Sequence, residues 1–112
     1  MFNQSLVRLR AGTKTDRGGN EVKDWSTPDR LLVTGLNIQP SIQRETTDEQ
    51  RNATVTGWHV QSAEGTNPDI RFDDRIVWDG MTLEVDGEVA RWPEPFSDRV
   101  HHIEFEMKRA TG

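Results

Sequence analysis

The dipeptide Asp79-Gly80 most narrows what this chain can become. It sits between Arg75-Ile76-Val77-Trp78 and Met81-Thr82-Leu83-Glu84-Val85, two β-branched and aromatic runs of strand length. Asp-Gly in that setting supplies the two positive φ angles that a two-residue hairpin turn requires. Beyond the turn, Met81, Leu83 and Val85 fall on one face of a strand and Thr82 and Glu84 on the other. A second Asp-Gly, Asp86-Gly87, predicts either another reversal or a bulge before Glu88-Val89-Ala90-Arg91-Trp92.

Other strands are expected to pair around this meander. Ser5 to Arg10 reads as a first strand, with Val7 and Leu9 on one face and Arg8 and Arg10 on the other. Residues 11–30 form a long polar insertion, partly an extended hairpin with Gly18-Gly19-Asn20 at its tip and Val22 and Trp25 as its apolar grip. Arg30 to Gln39 is a second strand, with a bulge expected at Gly35 and an end at Pro40. Residues 40–52 are a second long polar loop, in which Thr46-Thr47-Asp48-Glu49 could cap one helical turn. Ala53 to Gln61 is a third strand, and Trp92-Pro93-Glu94-Pro95-Phe96 a stiff extended connector. Arg99 to Arg109 closes the chain, with Ile103, Phe105 and Met107 facing inward.

No segment carries a helical period. The expectation is one all-β domain over residues 1–112, a small barrel or sandwich of six to eight mostly antiparallel strands with long polar loops. Its predicted core includes Trp58, Trp78, Leu83, Val85, Ile103 and Phe105.

A chain of 112 residues with 32% hydrophobic residues and a mean hydropathy of −0.81 has only a small core to build. So low an apolar fraction leaves two readings, loops that stay loose or surfaces ordered by assembly, and clean strands separated by polar stretches favour the second. The absence of cysteine excludes a disulfide framework and thiolate chemistry. No apolar run is long enough to span a membrane. The net charge of −5 is uneven: residues 73–94 alone carry seven acidic and two basic side chains, and the modest basic excess lies in residues 1–30. A tight nucleic-acid binder would show the reverse.

Candidate chemistry is sparse. The Gly18-Gly19 pair lacks the Gly-Lys-Ser/Thr and following helix of a phosphate loop. Adjacent His101 and His102 point to opposite faces of a strand, and His102 with Glu104 makes a poor metal site. Asp73-Asp74 stands at a strand junction, where a turn or an arginine pair explains it better than acid–base work. These residues predict no enzyme, no cofactor and no metal. Trp58, Trp78 and Trp92 could form a stacking platform, so a free-standing carbohydrate-binding module is the alternative function.

The segments Asp74 to Gly80, Glu84 to Gly87, Arg91 to Phe96 and Arg99 to Glu104 resemble the head-closure, or head-to-tail stopper, proteins of long-tailed bacteriophages. Arg8 to Thr13 and Asp16 to Asn20 agree more loosely. The resemblance implies a small β-barrel in a homo-oligomeric ring, sixfold or twelvefold, in the virion neck after assembly in the bacterial host cytoplasm. Its implied partners are a portal or adaptor ring, tail proteins, and passing double-stranded DNA that it holds until the tail attaches. Gln43, Arg44, Glu45, Asp48, Glu49 and Arg51 are then expected to face the lumen or an adjoining subunit.

Overall fold

A computed structural model describes residues 2–43 and 54–109. The fold is all-β, with six strands among the described residues: β1 (Gln4–Thr15), β2 (Glu21–Gln43), β3 (Thr54–Ser62), β4 (Arg75–Trp78), β5 (Met81–Pro93) and β6 (Val100–Arg109). They close into an antiparallel ring in the order β1-β2-β3-β6-β5-β4, with β4 pairing back to β1.

The hairpin that anchors the sequence is present as expected. Asp79 and Gly80 have φ values of 51° and 74°, so both central turn residues lie in the left-handed region, as a type I′ turn demands. Trp78 then pairs with Met81, and Ile76 with Leu83. Asp86-Gly87 is a bulge, not a second reversal: β5 runs through it to Pro93, and its register against β6 shifts between Asp86 and Ala90.

Two prolines sit inside β2. Pro40 was expected to end the strand, yet β2 continues to Gln43. Past Leu36 β1 has ended, so β2 has only β3 as a neighbour and a missing N–H can point to the open side. Pro28 falls in the stretch where the β1–β2 register shifts, between Asp24 and Asp29. Gly35, with φ of 71°, makes the expected bulge. On its two sides the inward residues change parity, from Val33 to Leu36 and Ile38, and Leu32 is left 64% exposed.

Residues 11–30 are strand apart from a short turn, so the expected long loop is a two-stranded arm. The core draws on all six strands and on Ile70: Leu6, Val33, Leu36, Ile38, Trp58, Val60, Ile76, Leu83, Val85, Ile103, Phe105 and Met107 pack together. Of the predicted core, Trp58, Leu83, Val85, Ile103 and Phe105 are buried, and Trp78 is partly buried against them. Trp58 and Trp78 meet edge to face, their ring centroids 5.6 Å apart.

Candidate assembly surfaces

The first surface is the end of the barrel beneath residues 63–74. The sequence placed Val7 and Leu9 on one face of β1 and Arg8 and Arg10 on the other; in the structure Leu9 is buried, but Leu6 joins the packed core from the other side and Arg8 beside it is buried too, at 3% exposure. The inward arginines have acids waiting for them. The 63–74 segment inserts Ile70 into the core and carries Asp69 and Asp74 to meet β1. Arg8 Nη1 donates to the Asp69 carbonyl at 3.1 Å, and its Nη2 pairs with Asp29. Arg10 donates from Nε and Nη2 to the two carboxylate oxygens of Asp74, and from Nη1 to Asp69 Oδ2 at 2.9 Å. From β5, Arg91 donates to Asn67 Oδ1 and to the carbonyls of Pro68 and Ile70. Three arginines on two strands therefore clamp one segment.

The Asp73-Asp74 pair is divided between cations. Asp74 is buried against Arg10 and accepts the Arg71 N–H at 2.8 Å. Asp73 takes Lys23 Nζ at 2.6 Å, and that hydrogen bond holds its carboxyl below the usual range. A carboxylate held ionised in this way is a fixed charge, not a proton donor near neutral pH.

The second surface is the arm. Residues 12–23 are all exposed. Its tip is organised by Asp16, whose Oδ1 accepts the N–H groups of Gly18 and Asn20, both at 2.9 Å. At its base, Arg75 lies over the Trp25 ring, 4.2 Å from its centroid. Two hollows separate the arm from the barrel. One, of about 210 Å³, is lined by Arg10, Gly12, Lys23, Arg71 and Asp73. The other, of about 360 Å³, is lined by Trp25, Arg75, Glu84, Asp86 and Lys108. Lys23, Asp73 and Asp74 border both.

The third surface, on the outer wall of β3 and β6, was only half visible in the sequence. His102 and Glu104 stood out there; His59 joins them because β3 pairs with β6 and sets His59 opposite Glu106. Ser41 Oγ donates to Glu106 Oε1 at 2.7 Å, and Glu106 also meets His59 Nδ1. His59 Nε2 lies 3.0 Å from Glu104 Oε1, and Glu104 Oε2 lies 2.6 Å from His102 Nε2. Trp92 stacks on the His102 ring with centroids 6.2 Å apart.

Burial alone would lower the His59 pKa, but hydrogen bonds and charge from Glu106 and Glu104 raise it. The His102 hydrogen bond lowers Glu104. His101 and His102, expected on opposite faces, nevertheless bring their Nδ1 atoms within 2.8 Å. The irregular register between Trp92 and Pro93 lies beside them and skews the strand there. His59 commits its two nitrogens to different carboxylates. Among the described residues, no group of three or more ligands is arranged to hold a metal.

Arg44, Glu45, Asp48, Glu49 and Arg51 lie outside the described residues. Of Gln43 only the backbone is described, ending β2 opposite Thr54. The tryptophans do not form one platform, since Trp58 and Trp78 belong to the core and Trp92 alone is exposed, at 50%. The acidic stretch 73–94 is partly neutralised, with Asp73 on Lys23, Asp74 on Arg10 and Asp86 near Lys108. No helix among the described residues is long and apolar enough to cross a membrane. Neither protein-family models nor curated proteins gave a match to this chain.

Proposed function

We propose that this chain is a structural subunit of a bacteriophage neck, one of a ring of copies that joins head to tail and retains packaged DNA until the tail attaches. The observation that carries the reading is the arm. It holds residues 12–23 in water on both faces, and such a ribbon has little to stabilise it in an isolated subunit. A filled barrel with its end clamped by Arg8, Arg10 and Arg91 suits a rigid building block better than a carrier of ligands. The sequence resemblance to head-closure proteins supports a place in the virion neck. Exposed acids such as Asp79 and Glu88 fit a particle through which DNA must slide without sticking.

The test is a phage lacking this gene product. Heads should fill with DNA, fail to join tails and lose the DNA on storage. The chain supplied in trans should restore joining, and mass spectrometry should find it in the purified virion. Infectious particles without the chain would overturn the proposal.

A further inference from the structure

We propose that opposite walls of the barrel mate between neighbouring copies of this chain, an apolar, arginine-bearing wall on β2, β1 and β4 docking against an acidic wall on β3, β6 and β5. The inference rests on the ring of copies proposed above and names the two faces that join it. In the strand order β1-β2-β3-β6-β5-β4, β1 and β6 stand three strands apart in either direction, so they are diametrically opposed. A ring of copies is built from heterologous contacts, in which two different patches on each subunit meet head to tail.

Parity decides what each wall shows, because successive residues of a strand point to opposite faces. Leu6 and Ile76 point into the core, so Val7, Arg75 and Val77 point outward. Val7 lies directly opposite Leu32 on one side and Val77 on the other, and directly opposed residues share a face. An apolar row therefore crosses three strands, with Leu32 in it 64% exposed. In the next row Leu9 lies between Arg30 and Arg75. Arg75 rests on the Trp25 ring, and neither arginine forms an ion pair among the described residues. Residues 5–9, 30–34 and 75–77 contain no acid. The far wall has the opposite sign. There Leu83, Val85, Ile103, Phe105 and Met107 point into the core, which turns Glu84, Asp86, Glu104, Glu106 and Lys108 outward, four acids against one lysine.

Charge complementarity selects a second copy as the partner, because each wall has its complement on the far side of the same chain. Two copies meeting through like walls would set arginine against arginine or carboxylate against carboxylate, and such juxtapositions repel. Only the head-to-tail contact is favourable, and it repeats until a ring closes. With barrel axes aligned along the ring axis, the strand order matches β1 to β6, β2 to β3 and β4 to β5 of the next copy. Arg75 on β4 then approaches the strand that bears Glu84 and Asp86.

Sedimentation equilibrium of the purified chain tests the contact without a virion. Wild-type chain should associate as concentration rises, and less so at high salt. One variant reverses the first wall, Arg30→Glu with Arg75→Glu; another neutralises the second with near-isosteres, Asp86→Asn, Glu104→Gln and Glu106→Gln. Each alone should associate at least about tenfold more weakly, with native circular dichroism. Mixed in equal amounts, they should form pairs and nothing larger, because each brings one unaltered wall. Where the double change fails to fold, Arg30→Glu alone, at an exposed side chain, should weaken association in the same direction. A monomeric wild-type chain, variants that associate like it, or a mixture that stays monomeric would overturn the proposal. Pairing through these walls in a chain that the virion does without would remove the neck reading and leave this contact standing.

Discussion

Arg10 grips the buried carboxylate of Asp74 with two parallel donors, Nε to Oδ1 at 3.0 Å and Nη2 to Oδ2 at 2.9 Å. Charge-assisted bonds of this fork geometry are the strong ones. Asp74→Ala leaves Arg10 without its main partner and the Arg71 N–H without its acceptor, so it should cost about 3 kcal/mol, the figure for breaking a buried pair. Asp73→Ala breaks only an exposed pair with Lys23 and should stay under about 1 kcal/mol. Urea denaturation of both variants checks the contrast; equal losses would mean that the clamp does not hold this end of the barrel.

The backbone of β3 approaches β6 too closely for a side chain at Gly57. A Cβ there would lie 2.6 Å from the Met107 carbonyl oxygen, a backbone atom that cannot step aside. Gly57→Ala should therefore destabilise by about 1–3 kcal/mol, the range for overpacking. Gly12→Ala, which meets open space, is the control and should leave the melting temperature of the isolated subunit nearly unchanged.

Phe105 is 3% exposed at the centre of the packed cluster. Phe105→Ala should cost about 3–5 kcal/mol through the cavity it leaves. Trp78 is only partly buried and leans on the edge of Trp58. Trp78→Ala should cost less, about 2 kcal/mol, because solvent can fill part of the space. Thermal melts in which Trp78 proves the costlier would misplace the centre of the core.

Local chemistry made much of this fold legible. Asp79-Gly80 announced its turn, and Gly35 its bulge, because each needs a backbone conformation that few residues adopt. The alternation of Ile103, Phe105 and Met107 announced the inner face of β6. What stayed hidden depended on distant partners. The inward side of β1 could not be read from Val7-Arg8-Leu9-Arg10, because burying Arg8 is tolerable only once Asp29 and Asp69 arrive from elsewhere in the chain. Nothing in the strand sequence Ala53 to Gln61 marks His59, because only the pairing of β3 with β6 sets it between Glu104 and Glu106.

That placement of His59 makes stability depend on pH. Its folded pKa lies above the ordinary value of 6.5, so the folded state favours the protonated ring. The contribution is fully present below about 6.5 and is lost as pH rises through the folded value. With Glu104 the sign reverses: its pKa lies below the ordinary value of 4.5, and its contribution is lost as pH falls through its folded value. The His59 side chain is 40% exposed, so solvent screening keeps the effect under about 1 kcal/mol. The melting temperature should decline slightly from pH 6 to pH 8, and His59→Gln should flatten that decline. An unchanged slope in the variant would remove His59 as its source.

The last prediction separates a passive gate from a DNA-binding protein. Phosphate-dominated affinity grows with the number of free cations and falls steeply with salt. In this chain many cations are already committed: Arg8 and Arg10 to Asp29, Asp69 and Asp74, Lys23 to Asp73, and Lys108 towards Asp86. Lys14 and Arg17 remain on the arm, too few and too narrowly placed to grip a duplex against a net charge of −5. Binding to free double-stranded DNA should be no tighter than about 10⁻⁴ M at physiological salt, the weak end of non-specific association. Fluorescence anisotropy of a labelled duplex, titrated at two salt concentrations, measures this directly. Micromolar affinity with a steep salt dependence would remove the passive-gate reading and assign the arm to DNA instead.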